Sequence, residues 1–116
     1  MIDVKKKQKQ KKTVVPLQVS IEVARVKVRD AVQASSNVEF TEHAQERLAE
    51  RDFTVQDVIK VLQRGDIDER PTRTALKEWQ CKVTLKLRGI RTAGVVVIIL
   101  INDRLLVKTV EWENLK

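Results

Sequence analysis

Hydrophobic residues change period along the chain, and that change divides it into helical and strand-like parts. From Leu17 to Ser35 the two periods compete. Val19, Ile21 and Val23 alternate as in a strand, whereas Leu17, Ile21, Ala24, Val28 and Ala31 recur as on one helix face. Length and the interspersed charges Arg25, Lys27, Arg29 and Asp30 favour an amphipathic helix, against the β-branched content, and Ser35, Ser36 and Asn37 break it. Thr41 is placed to cap a second helix running to about Arg51, with Glu42 in its first turn and Phe40, Ala44 and Leu48 as its apolar stripe. Thr54 and Asp57 have capping-box spacing ahead of Val55, Val58, Ile59 and Leu62, and Gly65 is expected as a left-handed stop.

Beyond Asp66 the period becomes two. Trp79, Cys81, Val83, Leu85 and Leu87 alternate with Gln80, Lys82, Thr84, Lys86 and Arg88, which predicts a strand with one buried and one basic face. Gly89 and Gly94 bracket an expected turn, and Val95 to Ile101, apolar on both faces, is expected to be a central strand. Asn102 and Asp103 suit a tight hairpin into a last strand, Leu105 to Trp112, and an edge strand is expected near Ile67 to Arg70. The predicted fold is α+β, with N-terminal helices packed on a C-terminal antiparallel sheet of three to four strands. Residues 14–116 read as one such domain behind a disordered basic tail, residues 1–13.

Composition narrows the classes of function. The longest apolar run, Val95 to Ile101, is too short to span a bilayer, and the charged N-terminus has no secretory pattern, so a cytoplasmic protein is expected. One cysteine, Cys81, cannot form an intramolecular disulfide and reads as a small buried hydrophobe. With one His and no CxxC or HExxH there is no zinc-site spacing, and no Gly-rich loop is present for phosphates, so no cofactor is expected. A net charge of +7 invites a nucleic-acid partner, although six lysines of the first twelve residues carry most of it. Lys5, Lys6 and Lys7 in that tail are phosphate-binding candidates, beside Lys82, Lys86 and Arg88 on the strand; a solvated tail and a solvated strand face are the alternative readings.

His43, Arg47 and Arg51 stand at i, i+4 and i+8, along one flank of the second helix. Such a ridge suits metal-free cleavage of RNA: a general acid or base activates the ribose 2'-hydroxyl, and planar guanidinium groups pair with phosphate oxygens. The other reading of the same spacing is an ordinary helix whose arginines balance Glu42, Glu46 and Glu50. A DNA-binding helix-turn-helix has only Gln56, Lys60, Gln63 and Arg64 to offer.

The run Phe40-Thr-Glu-His-Ala-Gln-Glu-Arg-Leu-Ala-Glu-Arg51, followed by Thr54 to Gly65 and by Val107-Lys108-Thr109-Val110, resembles a small prokaryotic domain of unknown function. Its members open with F-T-x-H-A-x-x-R-x-x-x-R and end in a V-x-T-V strand, and the likeness covers about residues 38–112. That family is grouped with RelE-like toxins in the fold set that includes barnase and the colicin RNases. The resemblance implies a RelE-like arrangement and a metal-independent endoribonuclease of a toxin–antitoxin system. Its catalytic positions are then His43, Arg47, Arg51 and Thr109, and its partners RNA or the ribosome and an antitoxin protein. A non-catalytic nucleic-acid or ribosome-binding module, or a protein-interaction domain, is the alternative on the same fold.

Overall fold

A computed structural model describes residues 19–87, 89 and 91–113. The expected tail, with Lys5, Lys6 and Lys7, lies outside the described residues, as do Leu17 and Arg88.

The helical reading of the ambiguous stretch holds, over a shorter span. Helix α1 runs Ile21–Ala31, capped by the Ser20 hydroxyl, which accepts the Val23 amide at 3.1 Å. Its Ala24, Val28 and Ala31 are buried, the face expected from the helical period. Helix α2 spans Glu42–Glu50, with Thr41 accepting from the Ala44 amide, and α3 spans Val55–Arg64 behind a complete Thr54–Asp57 capping box. Arg29 of α1 donates to the Gly65 carbonyl at 2.8 Å and so fastens α1 to the end of α3.

Gly65 ends α3 for a different reason than expected. Its backbone is extended (φ −77°), not left-handed. A side chain there would sit 2.6 Å from the carbonyl oxygens of both Thr84 and Val61, so the helix end touches the sheet too closely for any Cβ.

The sheet has five strands in the order β1-β5-β4-β3-β2, with β1 Val38–Phe40, β2 Thr72–Arg73, β3 Trp79–Leu87, β4 Arg91–Ile99 and β5 Leu105–Trp112. This corrects the expected antiparallel sheet of three to four strands. Strand β1, which precedes α2, joins parallel to β5 and makes the sheet mixed. Three residues are too few to display a period, so β1 had no signature of its own. The expected edge strand at Ile67 to Arg70 is likewise displaced: β2 lies further along the chain, and only Asp66 bridges to β3, at Thr84.

Strands β3, β4 and β5 form the antiparallel meander. Gly89, with φ 79°, turns the first hairpin, whereas Gly94 lies within β4 rather than at the turn. The second hairpin turns at Asp103 (φ 64°), with the Asn102 side chain accepting the Arg104 amide, so Ile101 belongs to the turn and not to the strand. A bulge between Val96 and Val97 sets Lys108 of β5 out of register.

The core lies between the helices and one face of the sheet. Val58, Val61 and Leu62 of α3 meet Val83, Val95, Val97, Val107 and Val110, all essentially fully buried. Cys81 is buried, as expected, and Trp79 is half-buried. No charged or polar residue is buried among the described residues. No helix among them is long and apolar enough to cross a membrane.

Candidate functional site

Strand β1 pairs only with Leu105 to Val107, which leaves the rest of β5 without a strand neighbour on that side. Backbone carbonyls there still require donors. Helix α2 supplies them. The Thr41 amide donates to the Val107 carbonyl at 3.1 Å and its hydroxyl to the Lys108 carbonyl at 3.2 Å. At the far end of the helix, Arg51 Nη1 donates to the Val110 carbonyl at 2.9 Å. Trp112 Nε1 donates back to the Arg51 carbonyl at 2.7 Å. The indole is itself fixed between the Phe53 ring, stacked at 4.2 Å, and the Arg91 guanidinium, 4.0 Å above its ring. Helix α2 is thus pinned at both ends along the edge of β5.

This pinning decides where the sequence-derived ridge lies. His43 is exposed in the first turn of α2, Arg47 is half-buried and ion-paired with Glu50, and Arg51 is held to the strand. Of the two readings of this helix, the charge-balancing one describes Arg47, whose partner is a glutamate of its own helix. Arg51 serves the sheet edge with one of its donors and keeps the others. Thr109 is half-buried on β5, in register with Val96, and shares its strand with the carbonyl that Arg51 binds.

The face of the sheet turned away from the core carries Lys82, Thr84 and Lys86 on β3, Gly94, Val96 and Ile98 on β4, and Leu106, Thr109 and Glu111 on β5. Register lines up Lys82, Val96 and Thr109 on one rung and Thr84, Gly94 and Glu111 on the next. The face is less basic than the alternation of β3 suggested. Lys82 Nζ lies 3.1 Å from Glu111 Oε2 and 3.0 Å from Glu113 Oε1, so this lysine is neutralised by two carboxylates of the same domain. Gly94 makes that possible: a Cβ there would lie 2.5 Å from Glu113 Oε2 and 3.1 Å from Lys82 Cδ. The glycine supplies the space over which the ion pairs close. Lys86 is exposed, and Lys108 donates to Gln80 at 3.1 Å.

The two glutamates are shifted in opposite directions. Hydrogen bonding from Glu113 holds Glu111 below the ordinary carboxylate range, helped by Lys82 and by the charge of Arg51. Desolvation, then its hydrogen bond to Glu111, pushes Glu113 up. The hydrogen bond to Glu113 leads the causes that raise Lys82. Beside this cluster lies a small, shallow hollow lined by Asp68, Glu69, Lys82, Thr84 and Glu113. The sequence reading did not single out Glu111 or Glu113. Period-two alternation puts Glu111 on a face, but only the register across three strands brings it to Lys82.

Among the described residues no group of three or more His, Cys, Asp or Glu side chains is arranged to hold a metal ion. Burial pushes the Cys81 thiol up to about 11, away from the thiolate that nucleophilic or metal-binding chemistry requires.

Compared with known proteins, the chain matches no curated protein and no solved structure. The sequence model of one family, described as Domain of unknown function (DUF4258), matches residues 40–112, from the last residue of β1 to the last residue of β5. The helix pinned to the strand edge and the open face beside it both fall within that match, and the chain belongs to the DUF4258 family.

Proposed function

We propose that this protein is a metal-independent endoribonuclease of the toxin–antitoxin kind, acting in the cytoplasm on free or ribosome-bound RNA. The observation that carries the reading is the docking of α2 on the edge of β5. It brings a helix bearing His43, Arg47 and Arg51 alongside the strand bearing Thr109, and Arg51 acts electrostatically on Glu111 of the open face. A mixed sheet with β1 parallel to β5 and, among the described residues, helices against one face only support a RelE-like arrangement.

In this reading His43 takes the proton of the ribose 2'-hydroxyl, whose oxygen forms a bond to phosphorus as the bond to the 5'-oxygen breaks. The leaving 5'-oxygen then takes that proton back from the His43 imidazolium, directly or through water, and a cyclic phosphate remains. Charge gathering on the phosphate is met by Arg47, released from Glu50, and by the N–H groups of Arg51 that do not serve Val110. Thr109 adds a hydroxyl at the strand. Lys86, with Arg88 and the lysines 5, 6 and 7 of the N-terminal segment, holds the flanking RNA backbone in a salt-dependent way.

A second reading, a non-catalytic nucleic-acid or ribosome-binding module, is favoured by one specific feature: the catalytic candidate Arg47 is ion-paired within its own helix. Incubating the wild-type protein and His43→Ala with total RNA and with translating ribosomes, in EDTA, separates the two. Cleavage by the wild type alone is expected. Absence of cleavage from folded wild type in both settings gives the chain to the binding-module reading.

A further inference from the structure

Large apolar side chains that stay in water gather at one end of the domain. On α1, Val23 is 46% exposed and Val26 49%, three residues apart, and the half-buried Val19 precedes the Ser20 cap. The i, i+3 pair shares one flank of the helix, apart from the buried Ala24 and Val28. Facing it, Ile101 in the β4–β5 turn is 86% exposed. Val19, Val23 and Ile101, with Trp79, Ile99 and Leu100, line an open apolar groove. Leu76, in the turn before β3, is 78% exposed. Single exposed valines are ordinary, whereas a contiguous set bordering a groove marks a surface that is covered in use.

The rim of the groove holds Lys27, Arg73 and Lys77 against Glu78 and Asp103. Lys27 is paired with Asp103 at 3.2 Å, and the Arg73 guanidinium lies 5.2 Å from the centroid of the Trp79 ring. The rim is therefore cationic on balance. A second copy of the chain fits it poorly, since it would set Arg73 and Lys77 of one copy against the same cations of the other. Addition of a strand at the neighbouring sheet edge is poorly supported too, because β2 offers only Thr72 and Arg73.

We propose that this groove docks an amphipathic helix of a partner protein, its apolar stripe lying against Val23 and Ile101 and its acidic flank facing Arg73 and Lys77. The proposal is independent of any ribonuclease activity, because none of the groove residues belongs to the α2–β5 site.

The test is fluorescence anisotropy of two labelled synthetic peptides against the intact protein. Both peptides, about 20 residues long so that a helix can persist, carry leucines at one helical spacing; one has glutamates on the flanks and the other lysines. The acidic peptide is expected to bind at least about tenfold more tightly, and Val23→Ser and Ile101→Ser each to weaken it by about that factor. Both substitutions are at exposed positions, and unchanged melting temperatures confirm that the fold is kept. Equal binding of the two peptides, binding of neither, or indifference to both substitutions overturns the proposal. So does a concentration-dependent dimer, seen by sedimentation, that Ile101→Ser abolishes, since a second copy is then the occupant.

Discussion

Arg51 Nη1 donates to the carbonyl of Val110 across 2.9 Å, and through this bond the C-cap residue of α2 closes the edge of β5. A charged donor to a part-buried carbonyl is worth roughly 1.5–3 kcal/mol, less here because the site is not fully enclosed. Arg51→Ala is therefore expected to lower stability by about 1–2 kcal/mol in urea unfolding. Arg51→Lys, which keeps a cation but not the guanidinium fork, is expected to recover only part of it. An unchanged midpoint for Arg51→Ala would show that this arginine does not hold the helix in place.

The two buried glycines are expected to differ. At Gly65 an added methyl meets two backbone carbonyl oxygens at 2.6 Å, and neither can move without shifting α3 or β3. At Gly94 it meets the end of the Glu113 side chain, which can swing into water. Gly65→Ala should cost about 2–3 kcal/mol or more, whereas Gly94→Ala should cost less than about 1 kcal/mol. Equal losses in parallel denaturation curves would refute the distinction.

The pair of glutamates gives a pH test with opposed signs. Glu111 has its folded pKa lowered, so it contributes stability that is present above the ordinary value of 4.5 and lost as pH falls through the folded pKa. Glu113 has its folded pKa raised, so its contribution is present below 4.5 and lost as pH rises through the folded pKa. Carboxyl NMR titration is expected to show two steps, Glu111 ionising at lower pH than Glu113. Replacing Glu113 with Gln should leave one step at Glu111 and remove the loss of stability on the alkaline side of 4.5. A single shared midpoint in the wild type contradicts this arrangement.

Cys81 should behave as a reporter of folding. Buried, with its thiol pushed up to about 11, it is expected to react with a disulfide reagent at pH 8 only when the domain opens. The rate should rise steeply with denaturant. Immediate stoichiometric reaction of the native protein would show that β3 is accessible.

Much of the fold was legible because its local signals are strong. Ser20, Thr41 and Thr54 each satisfy the orphan amides of a helix start, and the alternation of Trp79 to Leu87 and of Leu105 to Trp112 specifies half-buried strands. The candidate site was legible only in part. The spacing of His43, Arg47 and Arg51 put them on one flank of a helix, but whether each faces water, a glutamate or a strand depends on contacts distant in sequence. The neutralised state of Lys82 had no local signature at all, since its partners lie 29 and 31 residues away.

By itself the sequence determined the two capped helices α2 and α3 and the three long strands, where most of these begin and end, and which residue types are available for chemistry. These follow from periodicity and capping within a few residues. Tertiary structure alone decided that Val38 to Phe40 joins the sheet parallel to β5, that α2 takes over the edge that β1 leaves, and that Gly94 makes room for Glu113 over Lys82. Each is a matter of register or of backbone proximity between distant segments. Local preference cannot encode it, because the unpaired carbonyl, the missing Cβ and the countercharge exist as constraints only once the strands are side by side.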